Sequence, residues 1–394
     1  MKIEAIRATP VNIPLEAPFL WSVGTYPGTT KVIVEVLTDE GLVGLGEAPS
    51  AACAPIIANV LAPRLLGADA FDMEACERLC VPETKVDWNS GDRSVAMAFG
   101  GIEMALWDLR GKAWGQPLYK LLGGAVRTQI PFTEYFAYRL RQGLVGGESS
   151  PAEVARYCAR MRELHGSTYF EGKCPPGDVR ATVEVVRQIR SAVGDDCTIR
   201  LDANMGFSLA AARQLLAALT PYNVSNLEDP VATFYDMAKL RQHSAVPFSS
   251  HVPDLALAVR LGVPDSFVLN LTQLGGIRRT LKFIAACEEM GIGFWCYSGE
   301  SGVGNAAYLH VIAATWHICE PSQSLFRWQT DDVTEEGPLK PENNVLSVPE
   351  GPGLGITLSP VALKRCHERF LRDGAFDHYH NQAGPGSYAR LPLC

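Results

Sequence analysis

The chain has 394 residues, of which 47% are hydrophobic and 20% charged, and its formal net charge at pH 7 is -8. This composition is typical of a globular protein of about two domains and excludes a disordered chain. The acidic balance, without any cluster of lysine and arginine, excludes a nucleic-acid partner, and no apolar run approaches the roughly 20 residues that a membrane helix needs.

The chain opens without a signal-peptide pattern, and its eleven cysteines are scattered, with no Cys-x-x-Cys pair. Thiols in this pattern are expected to be reduced and mostly buried, as in cytosolic proteins. We therefore expect a cytoplasmic protein that makes no membrane contact.

The first 125 residues carry strand patterns followed by helical ones. Residues 31–38 form a β-rich run, residues 39–41 a turn, and residues 42–47 a returning strand. Ile102, Leu106 and Leu109 then recur at helical spacing, and Gly123 and Gly124 end the helical stretch. The pattern predicts an α+β module.

From about residue 130 onward, short β-rich runs alternate with helical patterns. Successive run ends lie about 20 to 40 residues apart, which fits a strand, a crossover helix and two loops, and eight such units close into a barrel. The runs cover residues 130–136, 168–173, 198–202, 225–228, 246–250, 266–271, 293–297 and 324–328. The chain after about residue 355 is expected to pack back on the first domain, partly as a helix over residues 360–372.

Carboxylates stand at two neighbouring strand ends of the predicted barrel. The third run ends at Asp202 and the fourth at Glu228. The carboxyl ends of barrel strands form the active-site rim, and two hard oxygen donors side by side suit Mg²⁺. The alternatives are that one carboxylate caps the following helix or pairs with Arg200.

A third metal ligand is expected at the end of the fifth run. His251 is the strongest donor there, although imidazole is a poor match for Mg²⁺. Asp254 is the alternative, but it is better placed to cap a helix over residues 255–261.

Further polar residues lie at the other strand ends. The second run ends at Lys173, whose pKa can fall in a partly dry cavity, so that it acts as a base; the alternative is a lysine that extends to the rim. Glu171, on the same strand face, would orient or acidify Lys173.

The sixth run carries Asn270 near its end. Glu300 lies just past the end of the seventh run, on the side opposed to Lys173. There it would serve as an acid or as a hydrogen-bond acceptor, or it would be an ordinary loop charge. The glycines of residues 299–304 resemble a phosphate-binding loop, which is weak support by itself.

Five segments, spread over nearly the whole chain, are similar to signatures of one family. They are residues 105–124, Asp202-Ala-Asn204, Leu227-Glu-Asp-Pro230, residues 273–277 and residues 352–356. Together they resemble the capping-domain, metal-ligand, post-strand and C-terminal signatures of the enolase superfamily, in its mandelate-racemase-like and muconate-lactonising-like branches.

The resemblance implies a fold of the α/β class, a (β/α)₇β TIM-like barrel. Residues 126–354 would form the barrel. Residues 1–125, completed by about 355–394, would form an N-terminal α+β capping domain. The resemblance also implies a Mg²⁺ ion that binds the carboxylate of a small-molecule substrate, and a base that removes the α-proton while the metal stabilises the enediolate. Asn204, which follows the first metal-ligand motif, is expected to contact the substrate. Relatives are commonly symmetric oligomers, so we expect a homo-oligomer.

One branch of the family is similar in finer detail. Residues 135–139 and 326–330 look like the glucarate-dehydratase branch, which implies dehydration of an acid sugar, a hydro-lyase reaction. The chain departs from that branch at three positions: Glu171 replaces a lysine, and Asn270 and Ser298 replace an Asp–His dyad. These three residues become candidate substrate contacts. Glu300 is instead similar to a glutamate of the muconate-lactonising branch.

These departures bear on the reaction. Racemisation needs a proton acceptor on each face of the substrate, and Ser298 and Asn270 cannot supply the second at neutral pH, so we disfavour it. Syn dehydration needs only one base, which can also return the proton to the leaving hydroxyl group, and we expect Lys173 to be that base, with Glu300 or His251 assisting. The alternatives are a cycloisomerase or epimerase that uses Glu300, and a diverged barrel that binds a carboxylate ligand without turnover.

Specificity is expected to come from the cap, through loops over residues 15–31 and 48–55 that close over the barrel mouth. Trp21, Tyr26 and Phe19 would give the mouth an aromatic lining and favour a substrate less polar than a simple hexarate. The alternative is that these rings pack only within the cap.

Overall fold

The computed structural model describes residues 1–81, 93–175, 178–297, 299–323, 325–376 and 391. These residues form a three-stranded antiparallel sheet with helices, followed by a seven-stranded parallel sheet that alternates with helices. No helix within these ranges is long and apolar enough to cross a membrane.

The N-terminal sheet is antiparallel, with strands in the order β1 (Ile3–Trp21), β2 (Gly24–Thr38) and β3 (Val43–Ala48). The helices that follow it are α1 (Cys53–Ile56), a π-helical turn (Ile57–Leu61), α2 (Ala62–Leu65), α3 (Met73–Cys80), α4 (Ser94–Trp114) and α5 (Leu118–Leu121). Helix α4 packs directly on β3 because Gly44 and Gly46 have no side chain. A Cβ atom on Gly46 would lie 2.0 Å from the carbonyl oxygen of Gly101. These glycines therefore set the distance between helix and sheet.

The parallel sheet runs in sequence order from β5 to β11. Its strands are β5 (Glu134–Phe136), β6 (Tyr169–Lys173), β7 (Thr198–Asp202), β8 (Asn226–Glu228), β9 (Phe248–Ser250), β10 (Ser266–Leu269) and β11 (Gly293–Cys296). The register pairs Lys173 with Asp202 and Asp202 with Glu228. Since side chains alternate along a strand, these three residues stand at one level on one face of the sheet, as the run ends predict.

Helices connect the strands and cover the outer face of the sheet. They are α6 (Pro151–His165), α7 (Val179–Val193), α8 (Leu209–Leu219) with a 3₁₀ turn (Thr220–Tyr222), α9 (Phe234–Arg241), α10 (Leu255–Leu261), α11 (Ile277–Glu289) and α12 (Gly302–Ala314). Asp254 begins α10, where its carboxylate accepts a 2.9 Å hydrogen bond from the Leu257 amide. It is thus engaged as a helix cap, the expected alternative to a metal ligand.

The predicted eighth strand, residues 324–328, is wrong. Ser324 lies outside the described residues, and residues 326–328 form a turn. Lys340 Nζ stabilises this turn by donating to the carbonyl oxygens of Phe326, Arg327 and Gln329 at 3.0, 2.8 and 2.6 Å. A chain whose successive carbonyls converge on one ammonium cannot extend as a strand.

Residues 322–323 occupy the eighth position of the ring instead. The Gln323 amide donates to the Cys296 carbonyl of β11 at 2.9 Å, and the Thr133 amide, next to β5, donates to the Ser322 carbonyl at 2.9 Å. Backbone hydrogen bonds therefore join the two edge strands of the sheet through this two-residue segment. Because the sheet closes on itself, the expected barrel-type α/β fold is confirmed.

The segment predicted as a loop over residues 15–31 is a β-hairpin, because β1 extends to Trp21 and β2 begins at Gly24. The hairpin tip touches the barrel, where Ser22 Oγ donates to the Asn204 carbonyl oxygen at 3.1 Å. Backbone pairing thus builds this cover from two paired strands, whereas the sequence predicted a loop.

The last elements are a short antiparallel pair, β4 (Gln129–Pro131) with β12 (Val345–Ser347), and helix α13 (Pro360–Asp373). Helix α13 packs against β1, where Arg369 donates to the Asn12 carbonyl oxygen at 2.7 Å. The division of the chain into domains at residues 125 and 355 stays a prediction.

Candidate metal-binding and proton-transfer site

Inward side chains from consecutive strands converge at the carboxyl end of the barrel, beneath the β1–β2 hairpin. They come from the ends of β6 to β11 or from the residues that follow: Lys173, Asp202, Glu228, His251, Asn270 and Tyr297. Lys173 is 9% exposed, and the two carboxylates are 1% exposed. The site is therefore a largely dry cluster of charges, in which each charge needs a partner.

Asp202, Glu228 and His251 form a potential ligand set, because one donor atom from each lies within 4.8 Å of the others. Both oxygens of Glu228 are buried; Oε2 receives no hydrogen bond from the described residues, and Oε1 has only His251 Nε2 beside it, at 2.6 Å. Burial, with Asp202 alongside, raises the pKa of Glu228 to about 8. A buried carboxylate with so few donors is costly, and a divalent cation would satisfy it, so the residues present fit a metal ion.

His251 presents one defined nitrogen to this set. Its Nδ1 lies 2.7 Å from the Val268 carbonyl oxygen, an acceptor that requires a proton on Nδ1. The other nitrogen, Nε2, lies 2.6 Å from Glu228 Oε1. Burial opposes protonation of this imidazole, but Glu228 and the neighbouring aspartates raise the pKa of His251 to about 10, so without a cation Nε2 donates to Glu228. A cation held by the carboxylates would offset their charge and favour the neutral imidazole, whose Nε2 lone pair faces the set as a ligand would.

Asp202 is held from the other side. Asn204 donates to it twice, from its backbone amide at 2.8 Å and from its side chain at 3.0 Å. Asn204 has a positive φ of 45°, an unusual conformation that marks this turn as strained. The structure therefore places Asn204 as a support for Asp202, and its predicted contact with substrate stays a prediction.

Lys173 is ion-paired with Asp202 and lies under the cap. Its Nζ contacts Asp202 Oδ2 and lies 5.4 Å from the centre of the Trp21 ring. Burial would lower the pKa of Lys173, but the Asp202 carboxylate, with Tyr135 and Glu228, raises it above its ordinary value. The expectation of a lowered pKa is thus wrong for the site without a cation. A divalent cation between the carboxylates would offset their charge and favour the neutral amine.

Glu171 does not serve Lys173 as expected. Its carboxylate pairs with Arg200 at 3.4 Å and accepts from Gln323 at 3.2 Å, one level below the rim. The guanidinium of Arg200 lies over the rings of Tyr169 and Trp295, at 4.4 and 4.2 Å from their centres. Arg200 therefore neutralises Glu171 inside the barrel, and the alternative in which Arg200 pairs with Asp202 is wrong.

Glu300 is fully engaged by the cap and its own loop. Its Oε1 lies 3.1 Å from Lys31 Nζ of β2, and its Oε2 accepts from the Gly299 amide at 2.7 Å. Sequence reasoning missed Lys31, because a single lysine at the start of a β-rich run gives no sign that it will be buried. The catalytic role expected of Glu300 stays a prediction, and the structure gives it a structural partner.

The glycine-rich segment at residues 299–304 is not an open phosphate cradle. Glu47 of β3 accepts from the amides of Ser301 and Gly304 at 3.0 and 3.3 Å, and Asp332 accepts from the Gly302 amide at 2.8 Å. Two carboxylates of the protein thus already occupy the amino end of α12, where an anion would bind.

The remaining predicted contacts lie on the rim. Asn270 Nδ2 donates to the Tyr297 hydroxyl at 2.5 Å, and the Tyr297 ring packs edge-on against His251, with ring centres 4.8 Å apart. Tyr26 stacks on Phe19 at 4.8 Å and meets the edge of Trp21 at 6.1 Å. Ser298 lies outside the described residues. Sequence reasoning missed Tyr297, although strand alternation from the inward Trp295 indicates that it points inward.

Two family models match this chain. The model described as the N-terminal domain of mandelate racemase and muconate lactonizing enzyme matches residues 2–123, and the model described as enolase C-terminal domain-like matches residues 153–362.

Similar proteins of known name include several kinds of enzyme. A chloromuconate cycloisomerase of Pseudomonas putida is 30% identical, covering 92% of this chain and 98% of its own. A probable glucarate dehydratase of Streptomyces coelicolor is 26% identical, covering 95% and 93%. The crystal structure of an enolase from Thermobispora bispora, complexed with magnesium and formate, aligns with a TM-score of 0.87 at 26% identity, covering 96% of this chain and 95% of that one.

Proposed function

We propose that this chain, which belongs to the mandelate racemase and muconate lactonizing enzyme family of the enolase superfamily, is a Mg²⁺-dependent enzyme that removes the α-proton of a carboxylate substrate, with dehydration of an acid sugar as its reaction. The observation that carries the proposal is the cluster of Lys173, Asp202, Glu228 and His251 on consecutive strand ends. The magnesium and formate bound in the similar enolase support it, since formate is a carboxylate.

Asp202, Glu228 and His251 would hold the cation. When bound, it supplies positive charge beside the substrate carboxylate and so reduces the cost of the charge that develops as the α-proton leaves. Lys173 would take that proton, because its Nζ stands beside Asp202 at the rim. Trp21 covers Lys173 from the cap and would exclude water from the proton transfer.

The cap would also decide what enters. Trp21 and Tyr26 lie on the two arms of the hairpin that closes the mouth, and Phe19 supports Tyr26 from below. We therefore keep the rings of Trp21 and Tyr26 as proposed substrate contacts. Their aromatic surface favours an acid with a partly apolar end.

A second candidate function is isomerisation, by cycloisomerase or epimerase chemistry within the same site. The observation in its favour is the similarity to a chloromuconate cycloisomerase, which at 30% identity exceeds that to the glucarate dehydratase. The two functions share proton removal by Lys173 and differ in whether water is lost. Deuterium exchange at the α-carbon without water loss would favour isomerisation.

The first experiment measures Mg²⁺ binding by calorimetry and metal analysis in wild type, Asp202→Asn and the surface control Asp373→Asn. We expect wild type and the control to bind equally, and Asp202→Asn to lose more than about tenfold in affinity. Binding that survives in Asp202→Asn would contradict the assigned ligand set.

The second experiment tests activity on a panel of four- to six-carbon aldonic and aldaric acids in D₂O, with Lys173→Ala as the control. Water loss that disappears in Lys173→Ala supports the dehydratase proposal. A wild-type protein that binds Mg²⁺ and a panel member, yet neither exchanges nor dehydrates it, would instead be a carboxylate-binding barrel.

A further inference from the structure

The phenol of Tyr297 stands at the rim of the site with a defined orientation and no assigned role. We propose that Tyr297 is the acid that protonates the departing hydroxyl group of the substrate, from the wall of the barrel that faces Lys173. This inference rests on the proposed dehydration and divides the two proton transfers between two residues.

Asn270 fixes the direction of the phenolic proton. The Asn270 Oδ1 accepts from the Thr272 amide at 3.1 Å, the Thr272 hydroxyl at 3.0 Å and the Gln273 amide at 2.8 Å. The other end of this amide must therefore be its NH₂ group, which donates to the Tyr297 oxygen at 2.5 Å. The Tyr297 oxygen acts as the acceptor in that bond, so its own proton is directed elsewhere.

Among the described residues, the only hydrogen bond of the Tyr297 hydroxyl group is the one it accepts from Asn270. The nearby carboxylate of Glu300 already has both oxygens engaged, by Lys31 and by the Gly299 amide. A half-buried hydroxyl group that accepts from the protein and keeps its proton is a donor held ready for a ligand.

The ring of strands places Tyr297 across the mouth from the base. With residues 322–323 as the eighth position, β11 lies directly opposite β7, and β10, which precedes Asn270, lies directly opposite β6. Lys173 and Asp202 thus stand on one wall, and Asn270 and Tyr297 stand on the other. A substrate between the walls would expose opposite faces to Lys173 and Tyr297.

The sequence analysis considered only Ser298 and Asn270 as the second proton acceptor that racemisation needs; Tyr297 is assigned a different role, as a proton donor to the leaving group. In the proposed step, the bond from the α-carbon to hydrogen breaks and its proton goes to Lys173. The electron pair forms the carbon–carbon double bond, the β-carbon to oxygen bond breaks, and the departing oxygen takes the Tyr297 proton to leave as water. The resulting enol becomes the keto acid, the ammonium of Lys173 returns its proton to solvent, and the Tyr297 phenolate regains one from solvent.

The test compares two leaving groups in wild type, Tyr297→Phe and the control Tyr308→Phe. Tyr308 lies in α12, and its buried hydroxyl has no hydrogen-bond partner in the described chain. The probes are the acid of the panel that wild type dehydrates fastest and its analogue with fluorine in place of the β-hydroxyl group. Fluoride leaves as an anion without a proton, so its release does not need the acid. α-Deuterium exchange in D₂O and Mg²⁺ affinity are measured for each protein.

We expect Tyr297→Phe to lose about 100-fold or more in water elimination, the contribution of a positioned acid. Its fluoride release, α-exchange and Mg²⁺ affinity should stay within about threefold of wild type, and Tyr308→Phe should match wild type throughout. Water loss retained by Tyr297→Phe, or fluoride release that falls as steeply as water loss, overturns the assignment of Tyr297. A wild-type protein that eliminates neither group overturns the dehydratase proposal itself, and this inference with it.

Discussion

The ion pair between Lys31 and Glu300 joins the cap to the barrel, and its loss should destabilise the protein strongly. The two charged atoms lie 3.1 Å apart, and each side chain is only 7% exposed. Replacing Lys31 with Met preserves most of the side-chain volume but leaves Glu300 without its cation. Glu47 is affected as well, because the charge of Lys31 lowers its pKa.

The expected loss follows from the burial of the group left behind. Removing one partner of a buried ion pair costs about 3–5 kcal/mol in the free energy of unfolding, because the remaining charge is neither hydrated nor paired. We expect Lys31→Met to fall within that range, because it leaves Glu300 unpaired, whereas Glu47, with a pKa of about 8, is largely protonated at neutral pH. Glu300→Gln should cost less, because it removes a charge that raises the pKa of Glu47, and Glu47 can then ionise to balance the ammonium.

The assay is urea-induced unfolding followed by intrinsic fluorescence, for wild type, Lys31→Met, Glu300→Gln and the double variant. Lys364→Met, which breaks an exposed pair with Glu368, is the matched control and should change little. The double variant should be more stable than Lys31→Met, since it removes the unpaired charge. If the free energy of unfolding of Lys31→Met lies within about 1 kcal/mol of the wild-type value, the reasoning that Lys31 neutralises a buried carboxylate is refuted.

Two further predictions concern buried charges. Burial raises the pKa of Glu47 to about 8 although Lys31 opposes the shift, so between about pH 4.5 and 8 the folded protein binds a proton that the unfolded chain has released. Stability should therefore fall as pH rises through this window, and Glu47→Gln should flatten the profile; a stability that rises with pH equally in both proteins would contradict the shift. Arg200→Met should cost about 3–5 kcal/mol, because Glu171 keeps its charge inside the barrel. Arg187→Met, at an exposed pair, is the control, and equal unfolding midpoints for the two variants would refute the role given to Arg200.

Much of the barrel follows from local pattern. The runs ending at Lys173, Asp202 and Glu228 became strands with those same ends, since apolar alternation and flanking helical periodicity are short-range properties. The run at residues 324–328 failed, because Lys340, more than ten residues away, gathers its carbonyl groups into a turn. A local pattern cannot contain such a partner.

The sequence by itself determined which strand ends carry carboxylates, lysine and histidine, and it thereby predicted a metal-type site at the carboxyl end of a barrel. Only the tertiary structure decided how the buried polar groups of the site pair: Glu171 with Arg200 and Glu300 with Lys31 as ion pairs, and Asn270 with Tyr297 by a hydrogen bond. The physical reason is that periodicity fixes the level and face of a side chain, whereas the partner that neutralises a buried charge comes from whichever distant element packs against it.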